Sequence, residues 1–88
     1  MGTDKFLELC KDVVVAHYNV DKSHTILIER ENVYVVWNCK TLQNNKALLS
    51  TSVSGDGMYY ECTYNGDKQE LYLDAYKKQE NQCIKVED

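Results

Sequence analysis

The chain contains no proline, one arginine (Arg30), one tryptophan and one phenylalanine among 88 residues. No low-complexity stretch divides it, so it reads as one domain spanning 1–88, large enough for a single modest core. No run approaches the roughly 18–20 apolar residues that a membrane span needs. The start lacks the basic-then-apolar profile of an export signal. A cytoplasmic location is therefore expected. The scarcity of arginine speaks against direct nucleic-acid binding, which usually shows as a basic stripe. No GxGxxG, P-loop, nucleophile elbow, HExxH or CxxC occurs, and no polar constellation stands at workable spacing. Neither an enzyme, a cofactor site nor a metal site is expected.

The four cysteines, Cys10, Cys39, Cys62 and Cys83, are widely spaced, and each falls inside an apolar stripe. Without closely spaced pairs a structural zinc site is disfavoured, and without an export signal buried free thiols are expected rather than disulfides. Cys10 and His17 share a helix stripe but lie about 10 Å apart along its axis, too far for a nucleophile–base pair.

Charge is distributed unevenly. Residues 1–55 hold six acids and six bases, whereas residues 56–88 hold eight acids and four lysines, which supplies the whole net charge of −4. An acidic half either keeps a small protein in solution or meets a basic surface on a partner.

The most legible stretch is Met58 to Tyr76, where two alternating runs flank Asn65-Gly66. That dipeptide predicts a two-residue hairpin turn, because both residues tolerate positive φ. The resulting register sets Cys62 opposite Gln69, Tyr60 opposite Leu71 and Met58 opposite Leu73, with Ala75 on the same apolar face. The other face carries Tyr59 opposite Tyr72, Glu61 opposite Glu70, and Asp74.

Before the hairpin, residues 4–19 predict an amphipathic helix. Phe6, Leu9, Cys10, Val13, Ala16 and His17 form its stripe, and Thr3 or Asp4 its cap. Residues 20–32 read as a connection, with His24 in solvent. Alternation predicts a strand over 33–42, with Val33, Val35, Trp37, Cys39 and Thr41 facing the core. A turn at Gln43-Asn44-Asn45 leads to a strand over 46–53, and the hairpin strands cover 58–64 and 67–76. The C-terminal segment 77–88 fits either a short helix or a continued strand end; the spacing of Tyr76, Glu80 and Cys83-Ile84 favours the helix. The fold class expected is α+β, an N-terminal helix packed on a four-stranded antiparallel meander sheet.

Three carboxylates and three tyrosines, namely Glu61, Glu70, Asp74, Tyr34, Tyr59 and Tyr72, fall on the face turned away from the helix. An open face offers no burial to separate carboxylate pKa values, so acid–base chemistry is not expected there. The tyrosines either stiffen an exposed sheet or, with the acids, form a partner-binding surface.

Val33 to Val53, VYVVWNCKTLQNNKALLSTSV, and Gly57 to Lys78, GMYYECTYNGDKQELYLDAYKK, resemble a family of small uncharacterised proteins encoded by phages and prophages of Gram-positive bacteria, a domain of unknown function. Where that family suggests a second tryptophan near position 79, this chain has Gln79. The resemblance carries no catalytic residues. It implies an accessory protein that binds a host protein with a basic surface, such as a nucleic-acid-handling defence enzyme, in the manner of anti-defence and anti-CRISPR inhibitors. Two alternatives remain open: a protein that sequesters a small nucleotide signal, needing Lys40, Lys46 or Arg30 gathered into a pocket, and a structural homodimer. Monomer and homodimer are both compatible with the sequence.

Overall fold

A computed structural model describes residues 1–87. It contains one helix, α1 (Thr3–Val20), a 3-10 turn (Arg30–Asn32) and four strands, β1 (Val33–Thr41), β2 (Asn44–Thr51), β3 (Met58–Asn65) and β4 (Glu70–Lys77). The strands pair antiparallel in the order β1-β2-β3-β4, and α1 packs over β1 and β2 on one side of the sheet. The fold is the expected α+β meander. The C-terminal helix does not form: 78–87 has no regular structure and is exposed throughout, and Asp88 lies outside the described residues. Its apolar groups explain this, since Ile84 and Val86 find no surface to bury against and stand 75% and 83% exposed.

The helix is rotated from the expected stripe. Phe6, Cys10, Val14 and Tyr18 are its buried residues, whereas Ala16 and His17 are exposed. A strict four-residue spacing winds about 40° around the helix per step, so the row drifts from Phe6 towards Tyr18. Burying the large ring of Tyr18 outweighs burying Ala16. The helix starts one residue earlier than expected. Gly2 occupies the N-cap without a side-chain cap, its carbonyl accepting from the Phe6 N–H at 3.0 Å, while Asp4 lies in the first turn.

The connection after α1 is tied down at several points. His24 is half-buried rather than in solvent. Its ring stacks on Tyr18 with centroids 3.7 Å apart, and its Nδ1 lies 2.9 Å from the Tyr18 carbonyl oxygen. Because that oxygen can only accept, Nδ1 carries the proton. Asn19 grips the backbone of Ile28 from both sides, its Nδ2 donating to the Ile28 carbonyl at 3.0 Å and its Oδ1 accepting from the Ile28 N–H at 2.9 Å. This holds Ile28, 3% exposed, in the core. Asn19→Ala should therefore cost about 2 kcal/mol, since it orphans two backbone groups beside a buried side chain; a loss below about 0.5 kcal/mol in urea unfolding would refute the clamp. Arg30 closes the connection against the helix by a two-pronged bond to Asp12 at 2.9 and 2.8 Å and a further bond to Glu8.

Two details of the sheet depart from simple alternation. β1 carries a bulge between Val35 and Trp37, after which its faces exchange. Val33 and Val35 point towards α1 as expected, but Trp37, paired with Leu48, and Cys39, paired with Lys46, lie on the opposite face, while Asn38 and Lys40 come to the helix side. A bulge inserts one residue, and one residue is enough to turn every later side chain over. The β3–β4 register also differs: Cys62 pairs with Leu73, Tyr60 with Ala75 and Met58 with Lys77. The turn takes Gly66 to Gln69 rather than Asn65-Gly66. Asn65 Oδ1 accepts from the N–H groups of Asp67 and Lys68, and Gln69 takes the positive φ of +55°. The slip is four residues, an even number, so each side chain keeps its expected face.

The core joins Phe6, Cys10, Val14 and Tyr18 of the helix to Ile28, Val33, Ala47, Leu49, Tyr60, Cys62 and Tyr64. Of the cysteines, Cys10 and Cys62 are fully buried, as expected, but Cys39 and Cys83 are exposed. The bulge carries Cys39 outwards, and the absence of a closing helix leaves Cys83 bare. A hydrogen bond to Cys62 and burial both push the Cys10 thiol up, which leaves it inert at neutral pH.

Candidate partner-binding face

The helix covers one side of the sheet, and the other side is open. All six residues expected to form a surface, Tyr34, Tyr59, Glu61, Glu70, Tyr72 and Asp74, lie on that open side. Their pairings differ from those expected. Glu61 stands opposite Asp74 and also opposite Leu48, Tyr59 opposite Tyr76, Tyr72 opposite Thr63, and Glu70 opposite Asn65. Across the middle of the sheet runs the row Trp37, Leu48, Glu61, Asp74, and beside it the row Cys39, Lys46, Thr63, Tyr72.

The face thus has a carboxylate cluster and an aromatic margin. Like charges directly opposite are mildly destabilising, and the Glu61–Asp74 pair is offset by Lys46, whose Nζ lies 3.3 Å from Glu61. The Tyr72 hydroxyl donates to Glu70 at 3.3 Å. Three carboxylates against one lysine leave the face negative. Tyr34, Trp37, Tyr72 and Tyr76 are each between 43% and 54% exposed, an unusual amount of aromatic surface for one face.

Trp37, Leu48 and Tyr76 also belong to this face, Leu48 by the same alternation that sets Ala47 and Leu49 on the other side. Tyr76 shares the parity of Tyr72 and Asp74, so alternation alone could have found it. Trp37 could not be found that way, because nothing in VYVVWNCKT marks the bulge.

Elsewhere the chain offers little for ligands. A cleft of about 320 Å³ between the connection and the β2–β3 loop is lined by Tyr18, Ser23, His24, Ser54 and Asp56, with no lysine or arginine. The bases that a nucleotide site would need are dispersed. Arg30 is held by Asp12 and Glu8, Lys40 by the Met1 carbonyl at 3.1 Å, and Lys46 by Glu61. Among the described residues no three His, Cys, Asp or Glu side chains are grouped to hold a metal ion, and no helix is long and apolar enough to cross a membrane.

Fold and face together define a small two-layer α+β protein with an uncovered acidic and aromatic sheet face. The family described as a family of unknown function, DUF6275, matches residues 7–86, and the chain belongs to it. No curated protein and no solved structure matches.

Proposed function

We propose that the protein is a non-enzymatic binding protein that occupies a basic surface of another protein with the open face of its sheet. One observation carries this reading: three carboxylates and an aromatic margin share the one face that the helix does not cover. Tyrosine and tryptophan supply rigid contact area at low entropic cost, and the carboxylates steer a basic partner into register. In the phage and prophage setting that the sequence resembles, the partner is a host protein. A nucleic-acid-handling defence enzyme fits best, because its substrate groove is itself basic, and occupation of that groove would inhibit it in the anti-CRISPR manner.

The test is a variant carrying Glu61→Lys, Glu70→Lys and Asp74→Lys together, compared with the natural chain in pull-downs from a Gram-positive host lysate at low and high salt. All three side chains stand on the open face, so the fold should persist, as circular dichroism would show. The natural chain should recover one basic nucleic-acid-handling protein at low salt and lose it at high salt, and the variant should recover none. Equal recovery by the folded variant would remove the acidic face from the reading. A nucleotide-sequestering role is less well supported, since no base lines the cleft beside His24; a retained ligand in native mass spectrometry would reverse that order.

A further inference from the structure

The two edges of the sheet are built differently. β1 carries a bulge at Val36, and beyond it Lys40 points to the helix side, where its ammonium reaches the Met1 carbonyl. Bulges and inward-pointing charges are the devices by which an edge strand is kept from pairing with another chain. β4 has none of them across its central span. Residues 70–76 contain no proline or glycine, pair with β3 without a register shift, and place Leu71, Leu73 and Ala75 on the helix side. The helix lies over β1 and β2, so Leu71 and Leu73 are only half-buried and Ala75 is exposed. An open groove at the C-terminal end of the helix is lined by Ala16, His17, Val20 and Asp21.

We propose that β4 pairs antiparallel with β4 of a second copy of this chain, joining two four-stranded sheets into one of eight strands with its two-fold axis at Leu73. Hydrogen-bond phase and charge both set that register. The Lys78 N–H donates to the Gly57 carbonyl at 2.7 Å, so Lys78 faces β3 with its backbone groups. Antiparallel ladders alternate, which turns the backbone groups of Leu71, Leu73 and Ala75 outwards to the free edge. Centring the pair on Leu73 sets Leu73 opposite Leu73 and Leu71 opposite Ala75, each with outward N–H and C=O groups facing their counterparts. On the open face it sets Tyr72 opposite Asp74 and Glu70 opposite Tyr76, hydroxyl against carboxylate each time. Centring on Tyr72 would oppose Glu70 to Asp74, and centring on Asp74 would oppose that carboxylate to itself, both disfavoured. A one-residue shift would set helix-side against open-face residues. The Leu73 register also merges the two half-covered leucine stripes into one apolar strip between the two helices. It leaves the acidic, aromatic face exposed, so it does not depend on the function proposed above.

Sedimentation equilibrium over tens to hundreds of micromolar tests this. The natural chain should move from the 10.2 kDa of one chain towards twice that mass. Ala75→Pro removes an N–H that β3 does not use and sets a ring against the incoming strand, so it should stay monomeric with an unchanged circular dichroism spectrum. Tyr72→Lys creates two Lys–Asp74 pairs across the axis and should tighten association about tenfold, while Tyr72→Glu should weaken it by a similar factor. A monomer at every concentration overturns the proposal and leaves the edge to an extended peptide of another protein. A dimer indifferent to Ala75→Pro and to the charge at position 72 also overturns it, by assigning association to another surface.

Discussion

Replacing Gly66 by alanine should cost about 2–4 kcal/mol and lower the melting temperature by roughly 10–20 °C for a domain of this size. The reason is not the one that glycine in a turn usually invites. Gly66 is absent from the positive-φ residues of the chain. A Cβ placed on it would lie 2.2 Å from the Gln43 carbonyl oxygen, 2.6 Å from Gln43 Cβ and 2.9 Å from its carbonyl carbon. The nearest and the third are backbone atoms of the β1–β2 turn, and that turn is further fixed by the Gly66 N–H, which donates to Asn44 Oδ1 at 3.1 Å. The two hairpin turns touch at this point, and a methyl group forces them apart. Gly55 serves as the contrast. Its φ is +81° and nothing lies within 4 Å of its Cβ position, so Gly55→Ala should cost only the conformational 1–2 kcal/mol or so of a left-handed alanine. Gln43→Gly added to Gly66→Ala should rescue little, because the nearest clash, with the carbonyl oxygen, remains. A Gly66→Ala melting curve close to that of Gly55→Ala would show that the turns do not hold each other.

Gly66 also illustrates what was legible in the sequence. Asn65-Gly66 does mark a turn, and the pair predicts one for a purely local reason. The structure uses Asn65 as an acceptor for the Asp67 and Lys68 N–H groups and Gly66 for a tertiary contact, so the turn lengthens to four residues and the register slips. The slip was harmless because parity survives an even shift, which is why Tyr59, Glu61, Glu70, Tyr72 and Asp74 still share a face with Tyr34. The bulge at Val36 was the opposite case. It adds a single residue, exchanges the faces of Trp37 and Cys39, and leaves no mark in an unbroken run of strand-forming residues. The helix lay between these cases. Its extent was visible in Phe6 and Cys10, but its rotation depended on Tyr18, which earns its place through His24 and the connection, contacts that no local periodicity encodes. Binary patterning therefore recovers which side a residue takes, while turns and bulges decide who stands opposite whom.

The largest single loss should follow from Tyr60→Ala, about 3–5 kcal/mol, a substantial share of the roughly 4–13 kcal/mol expected for 88 residues. Tyr60 is 2% exposed, lies between Leu49 and Ala75 in the sheet, and meets the His17 ring edge-on at 5.9 Å. Its hydroxyl donates to Asp56 at 3.3 Å, and the same carboxylate accepts from Thr51 Oγ1 at 2.7 Å, which ties the β2–β3 loop to the core. Tyr60→Phe keeps the ring and loses the hydroxyl, and Asp56 keeps Thr51, so it should cost only about 1 kcal/mol near neutral pH. Alkali separates the two roles. Burial, and then the charge of Asp56, push the Tyr60 hydroxyl up to about 12. An unfolded tyrosine ionises near 10, so the folded pKa is the raised one. Its contribution is fully present below pH 10 and disappears as the pH climbs through 12, a loss reaching about 2.7 kcal/mol for two pKa units. Urea midpoints of the natural chain should therefore fall between pH 9.5 and 11.5 more steeply than those of Tyr60→Phe, and because a loss of about 2.7 kcal/mol exceeds the roughly 1 kcal/mol that separates them at neutral pH, the two curves should cross, leaving the natural chain the less stable at the alkaline end. Parallel slopes would mean that Tyr60 ionises in the folded protein as easily as in water, and that the Asp56 carboxylate does not face it.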